Sequence, residues 1–108
     1  MPDFTLKDLE KRVKERAKAS ADLSYTRKLL DRGVTHCAKK LGEEAVETVL
    51  AAVTEDRERL IAEAADLVYH LLVVLHARGI ALADVEAELF NRTGRSGLDE
   101  KAARKGGG

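Results

Sequence analysis

Two acidic clusters, Glu43-Glu44-x-x-Glu47 and Glu63-x-x-Asp66, interrupt stretches that are otherwise apolar and helix-forming, and they limit what this chain can fold into. A core helix rarely accepts inward carboxylates unless something positive compensates them. Spacings of three and four residues place each cluster on one helical face. Two such helices packed side by side would direct five carboxylates into one cleft. Hard divalent cations that take oxygen ligands, Mg2+ first among them, suit such a cleft. A Mg2+ site with this many carboxylates points to phosphate chemistry.

The rest of the chain agrees with a helical answer. Its 108 residues fit one domain, and its only proline is Pro2. Aromatics make up 4%, and Val, Leu and Ala dominate the apolar set, which favours an all-α core over a sandwich or barrel. A core this small commonly gains stability by oligomerising. The 19 basic and 19 acidic residues cancel, which argues against a nucleic-acid partner. The single Cys37 has no partner for a disulfide and no Cys or His at a zinc spacing, so a reducing, cytoplasmic setting is expected. The N-terminus shows no secretory h-region, and the longest apolar run, 71–75, is too short to span a membrane, so no membrane association is expected.

Periodicity predicts four to five helices. The first covers about 4–18, capped by Thr5 or Asp3, and a second covers about 20–32, capped by Ser24 or Asp22 and ended by Gly33. Two long helices follow, over about 34–53 and 57–77, with a polar break between them and Gly79 after the second. Gly42 inside the first long helix predicts a close approach by another helix or a ligand. Apolar residues cover more than half the circumference of the 57–77 helix, which should be buried on more than one side. A last helix over 82–92 should turn Leu82, Val85 and Leu89 inward. Residues 1–92 thus form the domain, and 93–108 a basic, Gly-rich tail expected to be mobile.

At about 100° per residue, His36, Lys40, Glu43 and Glu47 share a narrow stripe with Glu44 at its edge. Glu63, Asp66 and His70 form a second stripe bordering the apolar face. Crowded carboxylates there should raise at least one carboxyl pKa, and a cation turns the repulsion into attraction. The plainer alternative is a pair of solvated Glu-rich faces. A di-iron site is disfavoured, because such bundles use Glu-x-x-His and this chain places Asp66 and Glu47 at those positions. No Gly-rich phosphate loop and no Ser-His-Asp or Cys-His set is apparent, which favours direct attack by water.

The strings Lys39-Lys40-Leu41-Gly42-Glu43-Glu44-Ala45-Val46-Glu47 and Glu63-Ala64-Ala65-Asp66-Leu67-Val68-Tyr69-His70 resemble the phosphoribosyl-ATP pyrophosphohydrolases of histidine biosynthesis. The wider Glu-Glu-x-x-Glu and Glu-x-x-Asp pattern is similar to MazG-like all-α nucleotide pyrophosphohydrolases. Ser24-Tyr25-Thr26, 34–40 and Leu89-Phe90-Asn91-Arg92 fit the histidine branch, and the likeness runs from about Leu6 to Lys105. The resemblance implies Mg2+-dependent hydrolysis of the α–β phosphoanhydride of 1-(5-phosphoribosyl)-ATP, giving phosphoribosyl-AMP and pyrophosphate. It also implies a homodimer whose paired helices make a four-helix core, in the stand-alone form without a fused cyclohydrolase.

On that resemblance Glu44, Glu47, Glu63 and Asp66 are assigned to Mg2+, and Glu43 is either a further ligand or the base that orients water. Lys40 either reaches a phosphate or pairs with Glu43 or Glu44. Ser24, Tyr25 and Thr26 are candidates for the nucleotide pocket, with Tyr25 either stacking on adenine or belonging to the core. His70 either touches the site or, as is commoner for such a histidine, supports it from behind or belongs to the core. Arg92 and Arg95 are either contacts to the 5-phosphate of the extra ribose or ordinary solvated arginines. The alternative function is a housekeeping pyrophosphohydrolase of free nucleoside triphosphates.

Overall fold

Five helices and no strand make up the described part of the chain, so the expected all-α class holds. The computed structural model describes residues 3–54 and 56–94. Arg95 and the rest of the expected tail lie outside them. The helices are α1 (Leu6–Ala17), α2 (Tyr25–Asp31), α3 (Val34–Thr54), α4 (Arg57–Ala77) and α5 (Leu82–Thr93).

Local chemistry sets most of these boundaries. Thr5 begins α1 with a reciprocal cap: the Thr5 amide donates to Asp8 Oδ2 at 2.9 Å, and the Asp8 amide donates to Thr5 Oγ1 at 3.4 Å. The second helix starts later than its periodicity suggests, at Tyr25 rather than near residue 20. The reason is Ser24, whose hydroxyl donates to the Arg16 carbonyl at 2.9 Å and accepts from the Arg27 amide at 3.1 Å. One buried side chain thus closes α1 and opens α2, leaving the residues before it as a turn. Gly33 adopts φ 92°, a left-handed conformation open to glycine, and this lets α3 begin one residue after it. Asp56 caps α4 by accepting from the Arg59 amide at 2.9 Å. At the other end Gly79 has φ 69°, and the Ile80 and Gly79 amides donate back to Leu75 and His76 at 2.9 and 3.0 Å. This is a Schellman ending.

The two long helices form a hairpin that is the frame of the molecule, with the most extensive packing of any helix pair. A small core of Val13, Leu29, Cys37, Leu72, Val73 and Leu82 fills the space where α1, α2 and α5 meet it. The α5 start is held across the fold, because the Leu82 amide donates to Glu10 Oε2 on α1 at 2.6 Å. Beyond that anchor α5 departs from expectation: Val85 is half-buried, but Leu89 and Phe90 are exposed.

A side chain at Gly42 would meet nothing within 4 Å, so among the described residues no other helix approaches it closely. The helix α4 is buried on more than one side in its second half, where His70 and Leu72, on opposite faces, are both buried, while Ile61 and Leu71 are exposed. On α3 the residues Val46, Val49, Leu50 and Val53 form a complete apolar stripe that is also exposed, Val53 to 75%. By length and composition alone α4 could cross a membrane, although its longest uninterrupted apolar run is short. Its Glu63 and Asp66 gather with Glu44, while its Leu72 and Val73 sit in the core.

The Thr5–Asp8 cap yields the first expectation. Hydrogen bonds from Thr5, backbone first, hold the Asp8 carboxyl below its ordinary range. Its contribution is therefore complete above the ordinary carboxylate range and is lost as pH falls through the lowered value. Thr5→Ala should reduce unfolding stability by about 0.5–2 kcal/mol at neutral pH. The gap from wild type should narrow in acid, as measured by urea denaturation across a pH series.

Candidate metal centre

The packing of α3 on α4 brings the two acidic clusters together. Carboxylate oxygens of Glu44, Glu63 and Asp66 all lie within 4.8 Å of one another. Their helices are tied at this level by Thr48, whose hydroxyl lies 2.8 Å from the Glu44 carbonyl and 3.1 Å from the Glu63 carbonyl. The sequence reading missed Thr48. Its only advance signal is its position four residues after Glu44, where a threonine bonds back to its own helix.

The three carboxylates sit in different surroundings. Glu63 is 4% exposed and is covered by Arg59, whose guanidinium reaches Glu63 Oε1 at 2.9 Å. Arg59 was also missed, although its spacing of four from Glu63 is the usual signature of a helical ion pair. Glu44 is half-buried, and Asp66 is exposed. Burial first, and then the neighbouring charges of Glu47 and Asp66, raise the Glu44 carboxyl pKa. Burial and contact with Glu47 likewise raise that of Glu63, although Arg59 opposes the shift. Glu47 is exposed and its charge acts on both groups, although it stands outside the triplet whose oxygens come within 4.8 Å.

Three buried polar atoms here have no hydrogen-bond partner among the described residues: Glu44 Oε2, Glu63 Oε2 and His70 Nε2. An unpartnered buried carboxylate oxygen is costly in water-excluded surroundings. A hard cation supplies what these oxygens lack, so the donor set fits a divalent metal that prefers carboxylate ligands.

The remaining candidates fall into two groups. His70 is buried, and its Nδ1 donates to the Asp66 carbonyl at 2.8 Å. Its ring meets Tyr69 and Tyr25 edge-on, with centroids 5.0 and 6.3 Å away. It thereby fixes the backbone beneath Asp66. Thr26 is 1% exposed, and its hydroxyl is bonded to the Tyr69 hydroxyl at 2.5 Å. It is thus engaged with Tyr69 inside the fold rather than open to solvent. Tyr25 is half-exposed and faces a groove together with Lys40. Lys40 Nζ lies 3.3 Å from Glu43 Oε1, so the ion-pair alternative is the one found, and Glu43 stands outside the close triplet. Arg92 is not gathered at the carboxylates and instead pairs with Glu88 on the exposed side of α5 at 2.9 Å. Arg95 lies outside the described residues.

Comparison with known proteins agrees with this geometry. The family model described as phosphoribosyl-ATP pyrophosphohydrolase matches residues 6–93, most of the chain. The chain belongs to this family. Its relatives include phosphoribosyl-ATP pyrophosphatase 1 of Bradyrhizobium diazoefficiens, 64% identical over 97% of this chain and 99% of that protein. The phosphoribosyl-ATP pyrophosphatase of Nitrobacter hamburgensis is 60% identical over 96% of this chain and 97% of its own length. That of Azorhizobium caulinodans is 59% identical over 94% and 93%. Glu44, Glu63 and Asp66 all fall inside the span that the phosphoribosyl-ATP pyrophosphohydrolase family model matches.

The raised carboxyl pKa values carry a stability consequence for the metal-free protein. A carboxyl whose native pKa is raised binds its proton more tightly in the folded state. Folding stability should therefore fall as pH rises from the ordinary carboxylate range through the raised value. Glu44→Gln removes the buried charge and should melt above wild type at pH 8 in the presence of a chelator. The difference should vanish in acid, as read by thermal melts.

Proposed function

We propose that this chain hydrolyses the α–β phosphoanhydride of 1-(5-phosphoribosyl)-ATP, releasing pyrophosphate and phosphoribosyl-AMP, as a Mg2+-dependent cytoplasmic enzyme of histidine biosynthesis. The observation that carries this reading is the convergence of Glu44, Glu63 and Asp66 around unpartnered carboxylate oxygens, in a chain of this family. Residues 1–92 are the catalytic unit in this reading, with 93–108 as an appendage.

Glu44, Glu47, Glu63 and Asp66 are the residues that would hold Mg2+. When bound, the ion supplies charge neutralisation on the polyphosphate and on the departing pyrophosphate. Glu43 lies beside the triplet and half in solvent, with Lys40 against it. It orients the attacking water and takes up its proton as the phosphorus–oxygen bond to pyrophosphate breaks. Lys40 then has a choice of anions, Glu43 at rest and a phosphate oxygen when the nucleotide is in place. Tyr25 offers its exposed ring to the adenine, while His70 and Thr26 hold the Asp66 backbone and Tyr69 in position behind it.

The exposed stripe of Val46, Val49, Leu50 and Val53 supports the homodimer in which α3 and α4 pair with their copies as a four-helix core. An apolar stripe of this regularity is costly to leave in water. It begins one turn beyond Glu43, so dimer formation and the shielding of the acidic cluster are coupled.

Pyrophosphate release from phosphoribosyl-ATP tests the function. Wild type should turn over with Mg2+ and stop in chelator, and ATP and dNTPs should be poor substrates. Glu47→Gln and Asp66→Asn should each lose about 100-fold or more in kcat with helical circular dichroism intact. Equal turnover of simple triphosphates would instead favour the housekeeping activity. The dimer has its own measurement: Val49→Glu should sediment as a monomer where wild type sediments as a dimer.

A further inference from the structure

A groove of about 530 Å³ runs along the α2–α3 corner, and nothing above accounts for the end opposite Lys40. It is lined by Tyr25, Lys28, Leu29 and Arg32 from the α2 side and by His36 and Lys40 from α3. Tyr25, Lys28 and Arg32 stand three, four and seven apart, so they share one face of their helical segment. His36, Lys40 and Glu44 stand four apart on α3, which makes its stripe basic at the groove and acidic at the cluster. The groove is thus polarised, with Lys40 against Glu43 where it nears the acidic cluster, and Lys28, Arg32 and His36 as its further basic side chains.

The charges at the far end are uncommitted. Asp31, the groove's one carboxylate, accepts from Arg27 Nε at 2.8 Å, and Lys40 is engaged with Glu43. Lys28, Arg32 and His36 have no ion-pair partner among the described residues. The His36 imidazole is held below its ordinary pKa by burial and by the charges of Arg32, Lys39 and Lys40, which outweigh Glu43. A positive field of that kind favours an arriving dianion.

We propose that Lys28, Arg32 and His36 form the subsite for the terminal 5-phosphate of the extra ribose, making this corner the element that distinguishes phosphoribosyl-ATP from ATP. This rests on the function proposed above. The two ends of that substrate are chemically matched to the groove. Its triphosphate goes to the cation-binding carboxylates, its adenine passes Tyr25, and its second ribose carries a phosphomonoester to the only part of the groove with three basic groups. Arg32 offers a planar fork suited to phosphate oxygens, and Lys28 and His36 add donors from either side. The assignment replaces Arg92, which pairs with Glu88 on the exposed surface of α5.

Two measurements test it. Ribose 5-phosphate is titrated into the metal-free protein while the His36 ring signal is followed by NMR, with ribose as control. Saturable binding that raises the His36 titration midpoint is expected, and its loss in Lys28→Glu and Arg32→Glu. Next, kcat/KM is compared for phosphoribosyl-ATP and for its 5-dephosphorylated form. Wild type should prefer the phosphorylated substrate by about 10- to 100-fold, the range for charge-assisted hydrogen bonds. Arg32→Ala and the milder Lys28→Gln should collapse that preference, chiefly through KM. Unchanged preference in both variants, or its loss in Arg92→Ala instead, overturns the subsite. Failure of wild type to release pyrophosphate from phosphoribosyl-ATP sinks the proposed function, whereas ribose 5-phosphate binding still reads the anion site by itself.

Discussion

The contact between α3 and α4 at Thr48 governs the chemistry of this small fold. A hydroxyl poised between the carbonyls of Glu44 and Glu63 sets the level at which the two helices meet. Once that level is set, the side chains of the same two residues must share a space. Each helix alone would keep its carboxylates in water. The pair holds Glu63 under Arg59 and leaves one oxygen of each glutamate without a donor. The frame therefore works against the electrostatics of its own centre, and both carboxyl pKa values rise as a result. A cation held there, as proposed, would relieve that conflict and so couple metal binding to the helical hairpin.

The conflict is tolerated because stability is drawn from elsewhere. The buried core lies where α1, α2 and α5 meet the hairpin, and it uses small and medium side chains such as Val13, Cys37 and Val73. Ser24 joins two helix ends, Glu10 anchors a third, and glycines 33 and 79 stop helices where continuation would spoil the packing. Among the described residues nothing covers the outer stripe of α3. A core of this size has little surplus with which to leave four branched apolar residues in water, which is the ground on which the dimer is proposed.

The long helices were legible because their periodicity was strong and their ends were marked: Asp56 and Gly79 bracket α4 at the positions found. The acidic motif was equally legible, since spacings of three and four survive any rigid packing. The start of α2 was legible in part: Ser24 was one of two candidate caps and is the one found, while the bond to Arg16, eight residues away, that decides for it is encoded in no local pattern. Leu89 misled for a related reason. Its helix is amphipathic, but among the described residues no surface covers Leu89 beyond the Leu82 anchor. Thr26 and His70 were found as residues near the site, while their places, behind it, depended on the ring and hydroxyl of Tyr69. Thr48 and Arg59 escaped because each acts across or along the helix pair in a way that resembles ordinary surface chemistry.

The order of charge along α3 carries a further lesson about how so small a protein can orient a large polyanion. His36, Lys40, Glu43, Glu44 and Glu47 pass from basic to acidic in three turns of one rigid element. A substrate with phosphates at both ends faces opposite demands at the two positions. At the basic end it binds directly, and at the acidic end it is repelled unless a cation stands between. On the proposed function, only the end that reacts needs the metal, and the end that is recognised meets basic side chains. A substrate bound backwards would then place its phosphomonoester at the carboxylates and its triphosphate against Lys28, Arg32 and His36, away from Glu43. The order of charge on α3, with Lys28 and Arg32 of the α2 side beside its basic end, would favour one direction of binding.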